Sequence, residues 1–216
     1  MITIGKFTRP TAAALASFAA ISPATLHEAL GQEGAMPFAI KPIYPGMKVC
    51  GAALTVECRP GDNLAIHAAV ETAKPGDVLV VDYKGYLEAG PFGDVLATAC
   101  QKAGIRGMVI DGCVRDGASL RAMGFPVFGR GLNMKGTTKN QPGKVGLPII
   151  CAGVAVAPGD VVVGDDDGVV VVPRGRIAAV VQAAQARDEK EATMREKLKK
   201  GATTVELLGL ARLLRG

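Results

Sequence analysis

The chain has 216 residues, 49% hydrophobic and 21% charged, which is the make-up of one globular domain with a substantial core. Its 25 Lys and Arg outnumber 20 Asp and Glu by five, but much of the positive charge is the run between Arg187 and Lys200. There it is mixed with Asp188, Glu189, Glu191 and Glu196, the pattern of a solvated helix face, and with no ribonucleoprotein-type aromatic motif a nucleic-acid partner is not expected.

No basic leader with a long apolar core opens the chain, and no apolar run has the length of a membrane span. A cytoplasmic protein without a membrane partner is the expectation. Trp is absent and aromatics are few, so Val, Ala, Leu and Ile must do most of the packing.

In chain order, an opening arm leads to Pro10, which starts a helix carrying Ala12 to Ala20. Ser22-Pro23 begins a second helix through Leu30, ended by Gly31. Residues 35–48, with Pro37, Pro42 and Pro45, form an extended connection. Lys48 to Cys58 alternates as a strand and closes on Arg59-Pro60-Gly61-Asp62. Asn63 then precedes a helix built on Leu64, Ile66, Ala69 and Val70, which ends before Pro75. His67 lies on that helix and reads first as a packed or surface histidine. Val78 to Val81 is a β-branched strand. The Gly-rich loop from Tyr83 to Gly93 is a candidate wall for a site.

Asp94 stands where a helix N-cap belongs, and Val95, Leu96, Ala99, Cys100 and Ala103 follow with helical spacing until Gly104. Gly107 to Ile110 reads as a buried strand, and Asp111-Gly112 as a turn that delivers Arg115 and Asp116 together. A carboxylate at a helix start and a carboxylate–guanidinium pair beyond a strand end often share a crevice in an α/β sheet. The free N–H groups of Val95 and Leu96 add anion-binding donors there. Carboxylates with water suit Mg²⁺ or Mn²⁺. An adjacent Arg holds a substrate carboxylate or stabilises an enolate. The plainer alternative is a helix cap at Asp94 and a surface ion pair at Arg115–Asp116.

Further on, Ser119 to Met123 is a short helix ended by Gly124, and Val127 and Phe128 form a strand. Gly131 to Pro142 is polar and reads as flexible; its Lys135 and Lys139 lack the apolar surroundings that Schiff-base chemistry needs. The run Gly164-Asp165-Asp166-Asp167-Gly168 lacks the alternation of a calcium loop and reads as a turn between Val161–Val163 and Val169–Val172. Pro173 opens a long helix with an apolar stripe of Ile177, Val180, Val181 and Ala184. Pro60-Gly61-Asp62, Pro75-Gly76-Asp77 and Pro158-Gly159-Asp160 repeat one turn chemistry. The five cysteines (Cys50, Cys58, Cys100, Cys113, Cys151) have no CxxC spacing and read as buried free thiols. Cys113 has no His close in sequence to activate it.

Asp94 followed, after 20 intervening residues, by Arg115-Asp116 resembles the signature of the class II pyruvate aldolases that cleave 4-hydroxy-4-methyl-2-oxoglutarate and 4-carboxy-4-hydroxy-2-oxoadipate. The same superfamily includes the regulator of ribonuclease activity A and related oxaloacetate decarboxylases. The likeness extends over Gly61-Asp62-Asn63-Leu64, Gly76 to Asp82, Pro126-Val127-Phe128, Gly136-Thr137-Thr138-Lys139 and Gly159-Asp160 through Gly168. It implies an α/β single domain of the swivelling β/β/α type with helical N- and C-terminal extensions. The core would span about 45–173 and the C-terminal extension about 174–216.

The resemblance further implies that Asp116 binds Mg²⁺ or Mn²⁺ directly and Asp94 does so through a water. Arg115, with Val95 and Leu96, would bind the 2-oxo acid substrate, with Lys139 nearby. Glu191 would enter the site of an adjacent chain, Glu189 and Glu196 being its rivals for that role. The implied assembly is a homotrimer, or a hexamer built as a dimer of trimers. The implied reaction is retro-aldol cleavage to pyruvate plus pyruvate or oxaloacetate, in aromatic-compound degradation, with oxaloacetate decarboxylase side activity. The rival function is a non-catalytic regulator that binds a ribonuclease or RNA helicase; shorter members of that type generally lack the C-terminal extension. Gly117-Ala118-Ser119 departs from the family, which often carries an acidic residue shortly after the Arg-Asp pair, and Lys200 to Gly216 does not match it closely.

Overall fold

A computed structural model describes residues 1–214. The chain opens with the two-residue strand β1 (Thr3–Ile4) and two short helices, α1 (Ala12–Ala16) and α2 (Pro23–Ala29). Thr11 and Ser22 each accept the backbone N–H three residues on, and Pro23 occupies the first turn of α2, so both helices start where capping chemistry places them. The first helix is shorter than expected. The Ser17 hydroxyl bonds back to the Ala14 carbonyl at 2.7 Å, and the chain then turns to bury Phe18 among Ile21, Leu26 and the strands beneath.

The middle of the chain gives β2 (Lys41–Pro42), β3 (Val49–Glu57), α3 (Leu64–Thr72), β4 (Asp77–Tyr86), α4 (Asp94–Lys102), β5 (Gly107–Val114), α5 (Gly117–Met123), β6 (Val127–Gly129) and β7 (Gly131–Leu132). The remainder gives β8 (Lys144–Val145), β9 (Ile149–Cys151), β10 (Val154–Val156), β11 (Val161–Asp165), β12 (Gly168–Val172), α6 (Ile177–Lys199), α7 (Thr204–Leu208) and α8 (Ala211–Leu214).

Strands β3, β4, β5 and β6 pair in parallel in that order, with α3, α4 and α5 as the crossovers. Period-two alternation sends Leu79, Val81, Met108 and Ile110 to the face under α3, α4 and α5. Val78, Val80 and Val109 go to the opposite face, under Ile149, Cys151 and Val156. Both faces are covered, which is why these strands read as continuous apolar runs. The architecture is the expected α/β domain of the swivelling β/β/α kind. The hairpin of β11 and β12 turns at Asp166-Asp167, as the sequence suggested, and pairs antiparallel with the first half of β3. It also forms a floor for α2 and α6, which dock through Leu26, Val180 and Ala184.

Two strands outrun the sequence reading. β4 continues to Tyr86, taking the start of the expected loop, and β5 continues to Val114. No turn forms at Asp111-Gly112. Gly112 is required there by packing: a β-carbon on it would lie 2.8 Å from the Tyr83 ring. The five cysteines are free thiols, and burial pushes those of Cys58 and Cys100 up to about 12.

The three Pro-Gly-Asp turns share more than local shape. Gly61, Gly76 and Gly159 have φ of 75°, 95° and 89°, and the aspartate after each is buried and accepts backbone N–H groups. Asp77 holds Lys74 N–H and, through two 2.7 Å bonds, the guanidinium of Arg9 on the opening arm. Asp160 holds Ala157 and Arg174 N–H, fixing the approach to α6. Asp62 holds the segment beyond Gly136 described below.

Candidate active site

At the end of β5, Arg115 N–H donates to the Phe92 carbonyl at 2.8 Å, tying the strand end to the loop before α4. Asp116 follows at φ 56° and ψ 39°, in the left-handed region, as the residue ahead of α5. Asp tolerates this conformation better than most residues but still carries strain there. Its Oδ2 lies 3.3 Å from Arg115 Nε and accepts Asp94 N–H, also at 3.3 Å. Gly93 makes the approach possible, because a β-carbon on it would overlap Asp116 Oδ2 and come within 3.1 Å of Arg115 Cγ.

Helix α4 begins one residue away from the expected pattern. Gly93 is the N-cap, Asp94 is the first helical residue, and no side chain caps that end. The Asp94 carboxylate is therefore not consumed as a cap. The N–H groups of Val95 and Leu96 have no acceptor within the helix.

A cleft of about 280 Å³ opens here. Val95, Leu96, Arg115, Asp116 and Lys139 all line it, and Asp94 sits between the lining residues Gly93 and Val95. Among the described residues no three His, Cys, Asp or Glu side chains gather into a cage. Of the two aspartates only Asp116 lines the open space, and one carboxylate there fits a hard cation such as Mg²⁺, which takes one or two carboxylates and keeps several waters. Glu191 is elsewhere. It lies half-buried on α6, 2.9 Å from Arg187 and 3.4 Å from Arg195, beside Met194 and Leu198. Within one chain it does not reach the cleft.

Two lining residues were not singled out from the sequence as functional. Asn63 is only 6% exposed. Its Nδ2 donates to the Pro91 carbonyl at 2.8 Å, while its Oδ1 is buried with no partner. His67, one helical turn on, has a buried Nε2 without a partner. Burial, then the charge of Lys139, lowers the His67 pKa against an opposing pull from Asp62, so the ring is neutral at pH 7. Unpaired buried polar atoms on a cleft wall mark where a ligand atom or water completes the bonding. Cys113 plays no such part: burial, then Glu88, raises its thiol pKa. The segment expected to be flexible, Gly131 to Pro142, is polar but tied down at both ends.

A family model described as RraA-like, aldolase/RraA, matches residues 23–171. The chain belongs to the RraA-like family. The matched span stops ahead of α6. A relative from Halalkalibacterium halodurans, named "Putative 4-hydroxy-4-methyl-2-oxoglutarate aldolase", is 39% identical over 81% of this chain and 85% of its own. Among solved structures, Streptomyces coelicolor RraAS2, described as an unusual member of the RNase ES inhibitor RraA family, is 31% identical with a TM-score of 0.79. The match covers 88% of this chain and 99% of that one. The RNA-processing inhibitor RraA from Thermus thermophilis matches at 28% identity and a TM-score of 0.64, over 70% of this chain and 92% of that one. This RraA-like chain is thus similar both to a relative named for an aldolase and to inhibitors of RNA processing.

Proposed function

We propose that this RraA-like protein is a divalent-metal-dependent aldolase. Its substrate would be 4-hydroxy-4-methyl-2-oxoglutarate or 4-carboxy-4-hydroxy-2-oxoadipate, cleaved to pyruvate plus pyruvate or oxaloacetate. The observation that carries the reading is the meeting of Asp116, Arg115 and the uncapped start of α4 in one cleft.

Asp116 would hold Mg²⁺ or Mn²⁺ directly and Asp94 through a water; when bound, the metal supplies positive charge beside the substrate's 2-oxo oxygen. The N–H groups of Val95 and Leu96 bind the adjoining carboxylate. As the C3–C4 bond breaks, electrons move toward the 2-oxo oxygen, and the Arg115 guanidinium offers preorganised donors to the growing charge. Lys139 attracts the carboxylate on the far side of the scissile bond. His67, neutral on the wall, takes the C4-hydroxyl proton. The same pyruvate enolate arises when oxaloacetate loses CO₂, so decarboxylation is the expected side reaction.

Glu191 enters this scheme only from another copy of the chain, in a homotrimer or a hexamer of two trimers. The test is pyruvate release from both substrates, with and without added Mg²⁺ and chelator. Pyruvate release unaffected by chelator removes the metal from the mechanism, and no release from either substrate refutes the proposed reaction. The similarity to an RNase ES inhibitor family member and to an RNA-processing inhibitor supports one second reading, a regulator that binds a ribonuclease, with an RNA helicase as the other partner of that class. Inhibition of RNA cleavage by a catalytically dead Arg115→Ala protein would support it.

A further inference from the structure

The segment from Gly131 to Pro142 crosses the cleft as a strap, contributing Gly136, Thr137 and Lys139 to the lining. It is fastened at two places. Near its start, Asn133 Nδ2 donates to the Leu87 carbonyl at 2.7 Å, Gly90 N–H donates to the Lys135 carbonyl at 2.9 Å, and Lys135 pairs with Glu88. Near its end, everything converges on Asp62. Its Oδ2 accepts the Thr138 hydroxyl at 2.7 Å, Asn140 N–H at 2.7 Å and Gln141 N–H at 3.2 Å. Its Oδ1 accepts Leu64 N–H at 2.8 Å. Backbone bonds run alongside, from Thr138 N–H to the Gly61 carbonyl and from Asn63 N–H to the Thr138 carbonyl.

Lys139 therefore lies between residues that a single carboxylate, 2% exposed, holds against the first turn of α3. That turn carries Asn63 and His67. All the groups facing Asp62 are donors, so the position requires an acceptor on both oxygens. An amide of the same size presents N–H₂ to at least one of them, and a Glu, longer by a methylene, moves its oxygens away from these donors. The other two Pro-Gly-Asp aspartates fasten the arm and the approach to α6, away from the cleft. This one fastens a wall of it.

We propose that Asp62 is the positioning residue of the cleft, holding the Lys139 strap against the Asn63–His67 wall so that both meet one substrate. This rests on reading the cleft as the aldolase site. Asp62 touches no reacting atom and acts through Lys139.

The test pairs kinetics with amide hydrogen exchange on Asp62→Asn, Lys139→Ala and the double variant. Asp62→Asn should lower kcat/KM about tenfold or more, the scale of losing one charge-assisted hydrogen bond. The double variant should be no slower than Lys139→Ala alone, because the two act along one route. Losses that multiply, or an Asp62→Asn protein with wild-type kcat/KM, overturn the proposal. The Asn140 and Gln141 amides should exchange about tenfold faster or more in Asp62→Asn, with β3 to β5 still protected; unchanged exchange at those two amides also overturns it. The exchange measurement needs no substrate, so it decides the clasp even if the wild-type protein releases no pyruvate. Should Asp62→Asn fail to fold, Thr138→Val removes one exposed donor and must shift both readouts in the same direction.

Discussion

Replacing Gly93 by Ala is the sharpest probe of the cleft, because it alters Asp116 without touching its chemistry. Gly93 has φ −148° and ψ −164°, an extended conformation open to any residue, so the backbone has no objection to a methyl group. Space does. The new β-carbon falls on Asp116 Oδ2 and within 3.1 Å of Arg115 Cγ. The atom in the way is the end of a side chain that is 34% exposed, so the carboxylate can rotate outward, losing one long hydrogen bond to Asp94 N–H. That loss is about 1 kcal/mol, and Ala is a poorer N-cap than Gly. Against these, Ala narrows the unfolded ensemble by about 0.4–1 kcal/mol. Net stability should change by about 1 kcal/mol or less, shifting Tm by about 4 °C at most. Displacing a carboxylate by about 1 Å costs on the order of 100-fold in rate. Pyruvate release coupled to NADH oxidation measures turnover, and calorimetric titration with Mn²⁺ measures the cation site. A Gly93→Ala protein with native Tm and native turnover would show that the Asp116 carboxylate has no part in the reaction.

Asp116→Gly should abolish turnover yet raise Tm by a few degrees, since glycine releases about 1 kcal/mol of left-handed strain; a lower Tm would refute the strain. His67 should titrate below 6.5, and Lys139→Ala should move its midpoint upward by removing a repelling charge. With a lowered pKa, the stability His67 contributes is complete above pH 6.5 and is lost as pH falls through the folded value, and kcat/KM should decline on the same acidic limb. Only two histidines are present, so their NMR signals are easily assigned, and a His67 midpoint at or above 6.5 contradicts the reasoning. Glu191→Ala and Arg115→Ala proteins should each be nearly inactive, whereas co-refolded mixtures should regain activity in proportion to the restored interfaces. No recovery in verified mixed oligomers would place Glu191 outside the neighbouring site.

What the sequence disclosed follows the range of the interactions concerned. The parallel β-α-β order was legible because apolar period, Pro-Gly-Asp turns and Ser22 capping are local signals. The Asp94, Arg115 and Asp116 group was legible because strand, loop and helix start lie close along the chain. Asp111-Gly112 misled because the dipeptide normally signals a turn, whereas here the glycine answers to Tyr83 on the neighbouring strand. Asp94 was placed one residue off because Gly93 takes the N-cap without any side-chain bond. Asn63 and His67 escaped as site residues because their wall is completed by the strap, whose bonds to Asp62 span 76 to 79 residues. The same separation made a fastened segment look flexible.

The pairing of the opening arm has a consequence for synthesis on the ribosome. Arg9 finds Asp77 after a separation of 68 residues, but β1 pairs with β8, Thr3 opposite Lys144. β8 and β11 also cover the outer edge of β3. A nascent chain grows by about 5–20 residues per second, so these partners reach the exit tunnel seconds after the parallel core can assemble. During that interval β3 presents a bare, largely apolar edge from Val49 to Glu57, the kind of surface that recruits strands from other chains. A pause in translation before β8 and β11 have emerged prolongs that exposure, whereas a pause after both have emerged does not.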